Sequence, residues 1–176
     1  MFYVYKIMSS ITKINYSLTY MTSAINGFNL SAKDAAHVSD VFAKVAAETA
    51  TDYNQLAVAL SKVSAQANQA GMSMEYTTAL LAKGIETTQE APETAGTAMK
   101  TIIARFTEVK QLFSEGMLTG EDSEGEEINI NKIDAALKTV GISLKDFLNG
   151  SKGIDDIFLE LASKWDTLDL ATQRYI

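Results

Sequence analysis

The chain has 176 residues, 47% of them hydrophobic, which is enough to bury the core of one domain or of two very small ones. Cysteine is absent, which excludes disulfides, thiolate metal sites and a cysteine nucleophile. The net charge of −7 comes almost entirely from six carboxylates in residues 114–127, and the lack of a basic stripe argues against direct binding to nucleic acid.

The first helix is predicted from hydrophobic periodicity, and the start of the second is predicted from a capping pattern. Apolar residues recur every three or four positions from Ile11 through Leu18 to Phe28, which places them on one stripe of a helix. Ser31 and Asp34 then form an S-x-x-D start signal, in which both side chains accept hydrogen bonds from the first N–H groups of a new helix. A second helix is therefore expected to begin here.

Two alanine-rich helices are predicted next. Thr51 is expected to cap the third helix and Gly71 to end it, because glycine enters the left-handed conformation at no steric cost. Ser73 is expected to start the fourth helix. Alanine is frequent throughout residues 32–86, which favours helix formation and lets helices approach closely, so tight antiparallel packing is predicted.

A fifth helix is predicted to start at Pro92, because proline lacks the N–H group that the first turn of a helix leaves without an internal partner. Phe106 is the largest side chain of its predicted buried stripe, and truncation of this ring is expected to destabilise the fold. The stripe follows spacings of three and four residues. Its predicted members are Ala95, Ala98, Met99, Ile102, Phe106 and Val109.

Residues 114–127 interrupt the helical pattern. They contain six carboxylates and three glycines and can bury little apolar surface, so a mobile acidic loop is predicted. After this loop, Asn131 is expected to cap a sixth helix that ends at Gly141. Residues 142–152 contain an Asn-Gly pair and predict a turn or a small hairpin.

The last predicted helix carries Asp155 and Asp156 at its positive end and Trp165 as a core anchor. Residues 170–176 resemble the first turns of a further helix, which is typical of a truncated chain.

Together these elements predict an all-α fold, a compact bundle of about seven short to medium helices with one long acidic loop. Three parts are expected along the chain. Residues 1–113 form an alanine-rich helical domain, residues 114–127 a flexible acidic loop, and residues 128–176 a smaller helical subdomain that is truncated at its end. No helix is long and apolar enough to predict membrane contact.

The sequence predicts no catalytic, cofactor-binding or metal-binding residues. His37 is the only histidine and has no second imidazole or thiolate to share a metal with, so a solvated helix position is expected. Residues 96–101 lack the glycine that precedes the lysine of a phosphate loop. Asp155 and Asp156 are adjacent and point in different directions on a helix, which indicates helix-start charges rather than acid–base catalysis. The chain is therefore predicted not to be an enzyme.

Four blocks in the chain resemble the core region of bacteriophage tail tape measure proteins. They are residues 36–45 (AHVSDVFAKV), 71–80 (GMSMEYTTAL), 90–106 (EAPETAGTAMKTIIARF) and 159–176 (LELASKWDTLDLATQRYI). The resemblance extends from about residue 17 to the last residue. It implies a structural role, since a tape measure protein fills the lumen of a growing tail, sets the tail length and leaves during DNA ejection. It also implies protein partners, namely the tail tube or a tail assembly chaperone, and a location in the host bacterial cytoplasm and then in the virion tail.

An alternative hypothesis is that the chain is a prophage-derived fragment acting as a small inhibitor of a host defence nuclease, in the manner of an anti-CRISPR protein. The truncated end and the concentrated negative charge favour it, because an acidic segment can occupy a nucleic-acid-binding cleft. Its partner would then be a host effector that processes nucleic acid. The candidate partner contacts are Glu121, Asp122, Glu124, Glu126 and Glu127, which under the tape measure hypothesis belong only to a spacer.

Overall fold

A computed structural model of the protein describes residues 18–121, 125–165 and 167. In these ranges the chain forms eight α-helices, one 3₁₀ turn (Ala32–Asp34) and one two-stranded hairpin, which confirms the all-α class. The helices are α1 (residues 18–27), α2 (Ala35–Glu48), α3 (Tyr53–Gln69), α4 (Met74–Thr88), α5 (Pro92–Ser114), α6 (Ile130–Thr139), α7 (Leu144–Leu148) and α8 (Ile154–Trp165), and the strands are β1 (Thr119–Glu121) and β2 (Glu127–Asn129).

The packing groups the chain into two units, residues 1–101 and residues 102–176, with the boundary inside α5. An uninterrupted helix gives no compositional signal for such a boundary. The division predicted from the sequence, at residues 113 and 127, stays a prediction about how the chain is organised.

The first unit has its core where α2, α3 and α4 contact one another. Phe42 of α2, Leu56 and Leu60 of α3, and Leu81 of α4 are fully buried there. The Phe42 ring also meets Tyr53 edge to face, with 5.1 Å between the ring centroids. Burial of these side chains supplies most of the stabilisation of a helical unit of this size.

Helices in the first unit approach so closely that glycine is required at two contacts. A Cβ atom added at Gly27 would overlap the Ser64 hydroxyl, and one added at Gly96 would overlap the Ala59 carbonyl oxygen. The close packing predicted from the small residues is thus present at specific glycine contacts.

The helix starts agree with the predicted caps at two positions and differ at two. At Ser31 the N–H donates to Asp34 Oδ2 (2.8 Å), and at Ser73 the hydroxyl accepts the Tyr76 N–H (3.1 Å), as predicted. The prediction for Thr51 was wrong, since Asp52 caps α3 by accepting the Gln55 N–H at 2.9 Å. Thr51 is instead buried, with its hydroxyl 2.7 Å from that of Thr49.

The cap predicted at Asn131 was also wrong, because Asn129 accepts the Lys132 N–H (3.1 Å) and starts α6. Asn129 and Asn131 both fit the sequence pattern of a residue that caps the start of a helix. Asn129 ends β2 and has the extended backbone that a cap residue needs, whereas Asn131 already lies in the helix.

Four helices end in the same hydrogen-bonded turn. A residue with positive φ follows each helix, and the N–H of the next residue donates to the carbonyl five positions back, the arrangement of a Schellman motif. The positive-φ residues are Asn29, Gly71, Gly116 and Gly141, and the donors that follow them are Leu30, Met72, Met117 and Ile142, each at 2.9 Å. The helix ends predicted at Gly71 and Gly141 are confirmed.

The second unit has its core around α7, which lies within residues 142–152, where a turn or a small hairpin was predicted. The turn is present at Asn149 and Gly150, whereas the hairpin is not formed. Apolar and polar side chains do not alternate in residues 144–148 as they would in a strand. These residues form a short helix that buries Leu144 and Phe147. The Phe106 ring is half-buried and lies edge to face against Phe147 and Phe158, with centroid distances of 5.5 Å and 5.6 Å.

The buried stripe of α5 is rotated from the predicted one. Ile102 and Ala98 are exposed, whereas Ile103 is fully buried, so their predicted burial was wrong. Adjacent isoleucines fit the spacing equally well, and periodicity alone does not select between them. Ile11 and the side chain of Trp165 lie outside what the structure describes.

Candidate interaction surfaces

The acidic segment contains a short antiparallel hairpin rather than a loop throughout. β1 and β2 pair Thr119 with Asn129, Gly120 with Ile128, and Glu121 with Glu127. Glutamate and glycine are poor strand formers, so these strands could not be predicted from the sequence. Asp122 and Glu124 lie outside the described residues, whereas Glu121, Glu126 and Glu127 are exposed.

The inner face of the hairpin is fixed by two contacts. Ile128 is buried, and a Cβ atom added at Gly120 would lie 2.6 Å from Leu112 Cδ2, so β1 lies directly against the end of α5. Because successive side chains in a strand alternate between faces, Glu121 and Glu127 share the opposite, outer face. Two like charges directly opposite each other cost stability in a hairpin.

Large apolar side chains are exposed beside this acidic face. Phe113 in the last turn of α5 is 41% exposed, and Met117 and Leu118, which lead into β1, are 42% and 50% exposed. From the sequence, residues 114–127 were predicted to be a flexible loop whose carboxylates are either a spacer or partner contacts, and no role was predicted for these apolar side chains. The available signal was the placement of three large apolar residues around Gly116, directly before the run of carboxylates.

A cleft of about 250 Å³ lies in the first unit beside the only histidine. His37 Nε2 is 2.6 Å from Glu75 Oε1, and both side chains are about half exposed. This hydrogen bond from His37 lowers the pKa of the Glu75 carboxyl below its ordinary value. The cleft is lined by Phe28, Leu30, His37, Asn68, Met72, Ser73, Met74 and Glu75. His37 is exposed, as predicted, but it is paired rather than surrounded by solvent alone.

The comparisons with known proteins identify the family of the chain. The model of the family described as phage-related minor tail protein matches residues 8–175. The chain belongs to this family. It is also 30% identical, over 132 residues, to the tape measure protein of Pneumococcus phage Dp-1. That match covers 70% of this chain and 11% of the Dp-1 protein, so the chain spans about a tenth of its relative. No solved structure matches it.

Membership of this family confirms the resemblance to phage tail proteins seen in the sequence. The described residues of the chain contain no group of three or more His, Cys, Asp or Glu side chains that could hold a metal ion. Within the same ranges, no helix is both long and apolar enough to cross a membrane.

Two motifs that were weighed as chemical sites have structural roles. Residues 96–101 lie within α5, where their N–H groups bond within the helix and cannot cradle a phosphate. Asp155 and Asp156 lie in the first turn of α8, and Asp156 Oδ2 accepts the Gly153 N–H at 2.8 Å. Both aspartates thus act on the helix start, as predicted.

Proposed function

We propose that this chain is a helical module of a tape measure protein and takes part in tail assembly and in determining tail length. The observation that carries the proposal is the 30% identity to the Dp-1 tape measure protein over 70% of the chain. The proposed partners are other tail proteins, namely the tail tube or a tail assembly chaperone. The proposed locations are the host bacterial cytoplasm during assembly and the virion tail afterwards.

Two features of the structure support a role in protein contacts. Exposed apolar side chains adjoin the hairpin, and the outer face of that hairpin is acidic. Such a combination is suited to proteins and unsuited to the phosphate backbone of nucleic acid, which requires positive charge.

The necessity of the chain for tails is tested with a stop codon at Leu56 in a phage that encodes it. We expect electron micrographs of the lysate to show heads without complete tails, and supply of the protein from a plasmid to restore them. A Leu56→Met phage is the matched control, because this swap keeps a large apolar side chain at a buried position. Normal tails on the stop-codon phage would refute the proposal.

The role in length is tested with a chimera in which residues 8–175 replace the matching region of the Dp-1 tape measure protein. We expect tails of normal length. Helical insertions placed outside this region should then lengthen the tail by about 1.5 Å per inserted residue, the rise of an α-helix. Tails of unchanged length after insertion would remove length determination from the proposal while leaving an assembly role.

A nuclease inhibitor remains a second candidate because of the acidic outer face formed by Glu121 and Glu127. Its test is plasmid transformation of host cells that carry an active CRISPR defence and express the chain. Protection by the wild type, and its loss when the acidic residues of 121–127 are changed to serine, would support the inhibitor. Equal interference with and without the chain is the result that the tape measure proposal predicts.

A further inference from the structure

The end of α5 lacks the cover that comparable helix ends in this protein have. In a Schellman motif the residue after the positive-φ position commonly makes an apolar contact with the last turn of the helix. Met72 and Ile142, which occupy this place after α3 and α6, are 3% and 1% exposed. Met117, in the same place after α5, is 42% exposed.

Phe113 and Leu118 extend this uncovered position into a surface. The name apolar tip is used here for Phe113, Met117 and Leu118 together, all of which are at least 41% exposed. Single exposed apolar residues are normal on a protein, but three large ones within six positions are typical of an interaction site.

The charges in the segment that contains the apolar tip, residues 111–131, are of one sign. Glu115 follows α5 directly, and Glu121 and Glu127 face each other on the outer side of the hairpin. Residues 111–131 contain no lysine or arginine. The opposed carboxylates are unfavourable for the hairpin itself, and a positively charged partner would turn this local cost into a gain.

We propose that the apolar tip and its acidic surroundings are a docking surface for a positively charged amphipathic segment of another tail protein. This inference rests on the proposed function, which places the chain among tail proteins. An apolar centre with an acidic rim requires apolar side chains flanked by lysine or arginine in the partner. It does not suit nucleic acid or anionic lipid headgroups, which the carboxylates repel.

A second copy of the chain is the less favoured occupant. Each copy has a net charge of −7, and two copies that meet through their acidic segments would repel each other. The experiment therefore separates a different protein from a second copy and from another part of the same chain.

Site-specific photocrosslinking during tail assembly tests the proposal. The full chain carries benzoylphenylalanine in place of Met117, or in place of Leu159 of α8 as the matched control, because Leu159 is also apolar and 54% exposed. We expect Met117, but not Leu159, to crosslink to one segment of another tail protein that combines apolar residues with lysine or arginine. Crosslinks only to this chain, to an acidic segment, or at the same level from both positions would overturn the proposal.

Binding of the crosslinked segment as a synthetic peptide provides the quantitative test. The paired change Met117→Ser and Leu118→Ser should weaken binding about 30-fold, the effect of losing a central side chain of an interface. Leu159→Ser should leave the affinity within about twofold. Comparable losses from both variants would count against a specific surface.

Salt dependence then tests the acidic surroundings. Changing Glu115, Glu121 and Glu127 to glutamine should slow association about tenfold at low salt and much less at 0.5 M salt, where charges are screened over a few ångströms. Circular dichroism checks that every variant keeps its helices. An affinity that these changes leave untouched at low salt would contradict the charge argument.

The two proposals fail in different ways. If a phage with the stop codon at Leu56 still makes tails, the proposed function is wrong. If tails require the chain but the benzoylphenylalanine at 117 captures no basic segment, the tail role stands and the docking surface is wrong.

Discussion

At the end of α3, Gly71 and Met72 form the same turn that Gly116 and Met117 form at the end of α5. The φ angles of the two glycines are 81° and 76°, and both methionine N–H groups donate at 2.9 Å to the carbonyl five residues back. The surroundings differ, since Met72 is buried in the first unit and Met117 is exposed. Local sequence therefore sets the backbone of a helix end, whereas its burial depends on which other element packs against it.

Truncation of two rings on α5 should give the largest difference. Phe106 and Phe113 are seven residues apart and therefore lie close to the same face of the helix. Phe106→Ala should lower the free energy of unfolding by about 3 kcal/mol, because this ring contacts Phe147 and Phe158. Phe113→Ala should lower it by less than about 1 kcal/mol, since this residue is 41% exposed.

Urea denaturation followed by circular dichroism measures both changes. Equal losses for Phe106→Ala and Phe113→Ala would mean that α5 is covered along its whole length.

Substitution of glycine tests a close contact with the backbone in the first unit. Gly96→Ala should destabilise the fold by about 2–3 kcal/mol, because the new Cβ atom overlaps the Ala59 carbonyl oxygen and the backbone must move. Gly84→Ala in α4 is the matched control, with no atom within 4 Å of the added Cβ. It should stabilise by about 0.5–1 kcal/mol through higher helix propensity. Changes of the same sign in a thermal or urea melt would contradict this account of the packing.

The two methionines test the comparison directly. Met72→Ala should cost about 2 kcal/mol, because it leaves a cavity beside the end of α3. Met117→Ala should cost no more than about 0.5 kcal/mol, as expected for an exposed position. A similar loss at both positions would show that Met117 is covered in solution, for example by association of the protein, which sedimentation would detect.

The stability of the first unit also depends on pH, with a sign that follows from Glu75. The pKa of Glu75 is lowered in the folded state, mainly by the hydrogen bond from His37. Its carboxylate therefore adds stability above the ordinary pKa of 4.5, and this contribution is lost as pH falls through the folded-state pKa. Both groups are about half exposed, so Glu75→Gln should cost less than about 1 kcal/mol at pH 7.

The stability difference between wild type and Glu75→Gln should shrink as pH falls below 4.5. A difference that grows on acidification would show that another interaction of Glu75 dominates.

The smallest effect is expected at the acidic segment. Changing Glu121, Asp122, Glu124, Glu126 and Glu127 to serine should leave the fold intact and raise stability by a few tenths of a kcal/mol at low salt, roughly the cost of like charges on a hairpin. The gain should vanish at 0.5 M salt. A clear loss of stability would instead indicate that these carboxylates hold the second unit together.

The features that a few neighbouring residues determine could be predicted from the sequence. The caps at Ser31 and Ser73, the start of α5 at Pro92 and the helix ends at Gly71 and Gly141 all follow from local hydrogen bonding or steric freedom. Thr51 and Asn131 were wrong because a second suitable residue lay one or two positions away. The choice between such neighbours depends on burial at Thr51 and on the extended backbone at the end of β2 at Asn129, which the local pattern does not contain.

The features that the sequence did not predict depend on tertiary contacts. Exposure of Ile102 rather than Ile103 is decided by what packs against α5. The hairpin is stabilised where Gly120 meets Leu112 and where Ile128 is buried, contacts that outweigh its poor strand propensity. The apolar tip was not predicted for the same reason. Met72 and Met117 follow glycines in the same kind of turn, and only the structure shows that the first is buried and the second exposed.

The boundary inside α5 has a consequence for the order of events during synthesis. The contacts among α2, α3 and α4 join helices that are neighbours in the sequence, and such local topologies fold rapidly. A ribosome adds only about 5–20 residues per second, so the first unit can fold before the hairpin has left the exit tunnel. A nascent chain would then carry folded helices while Met117 is still being made. The apolar tip would therefore have little time to aggregate before a partner arrives.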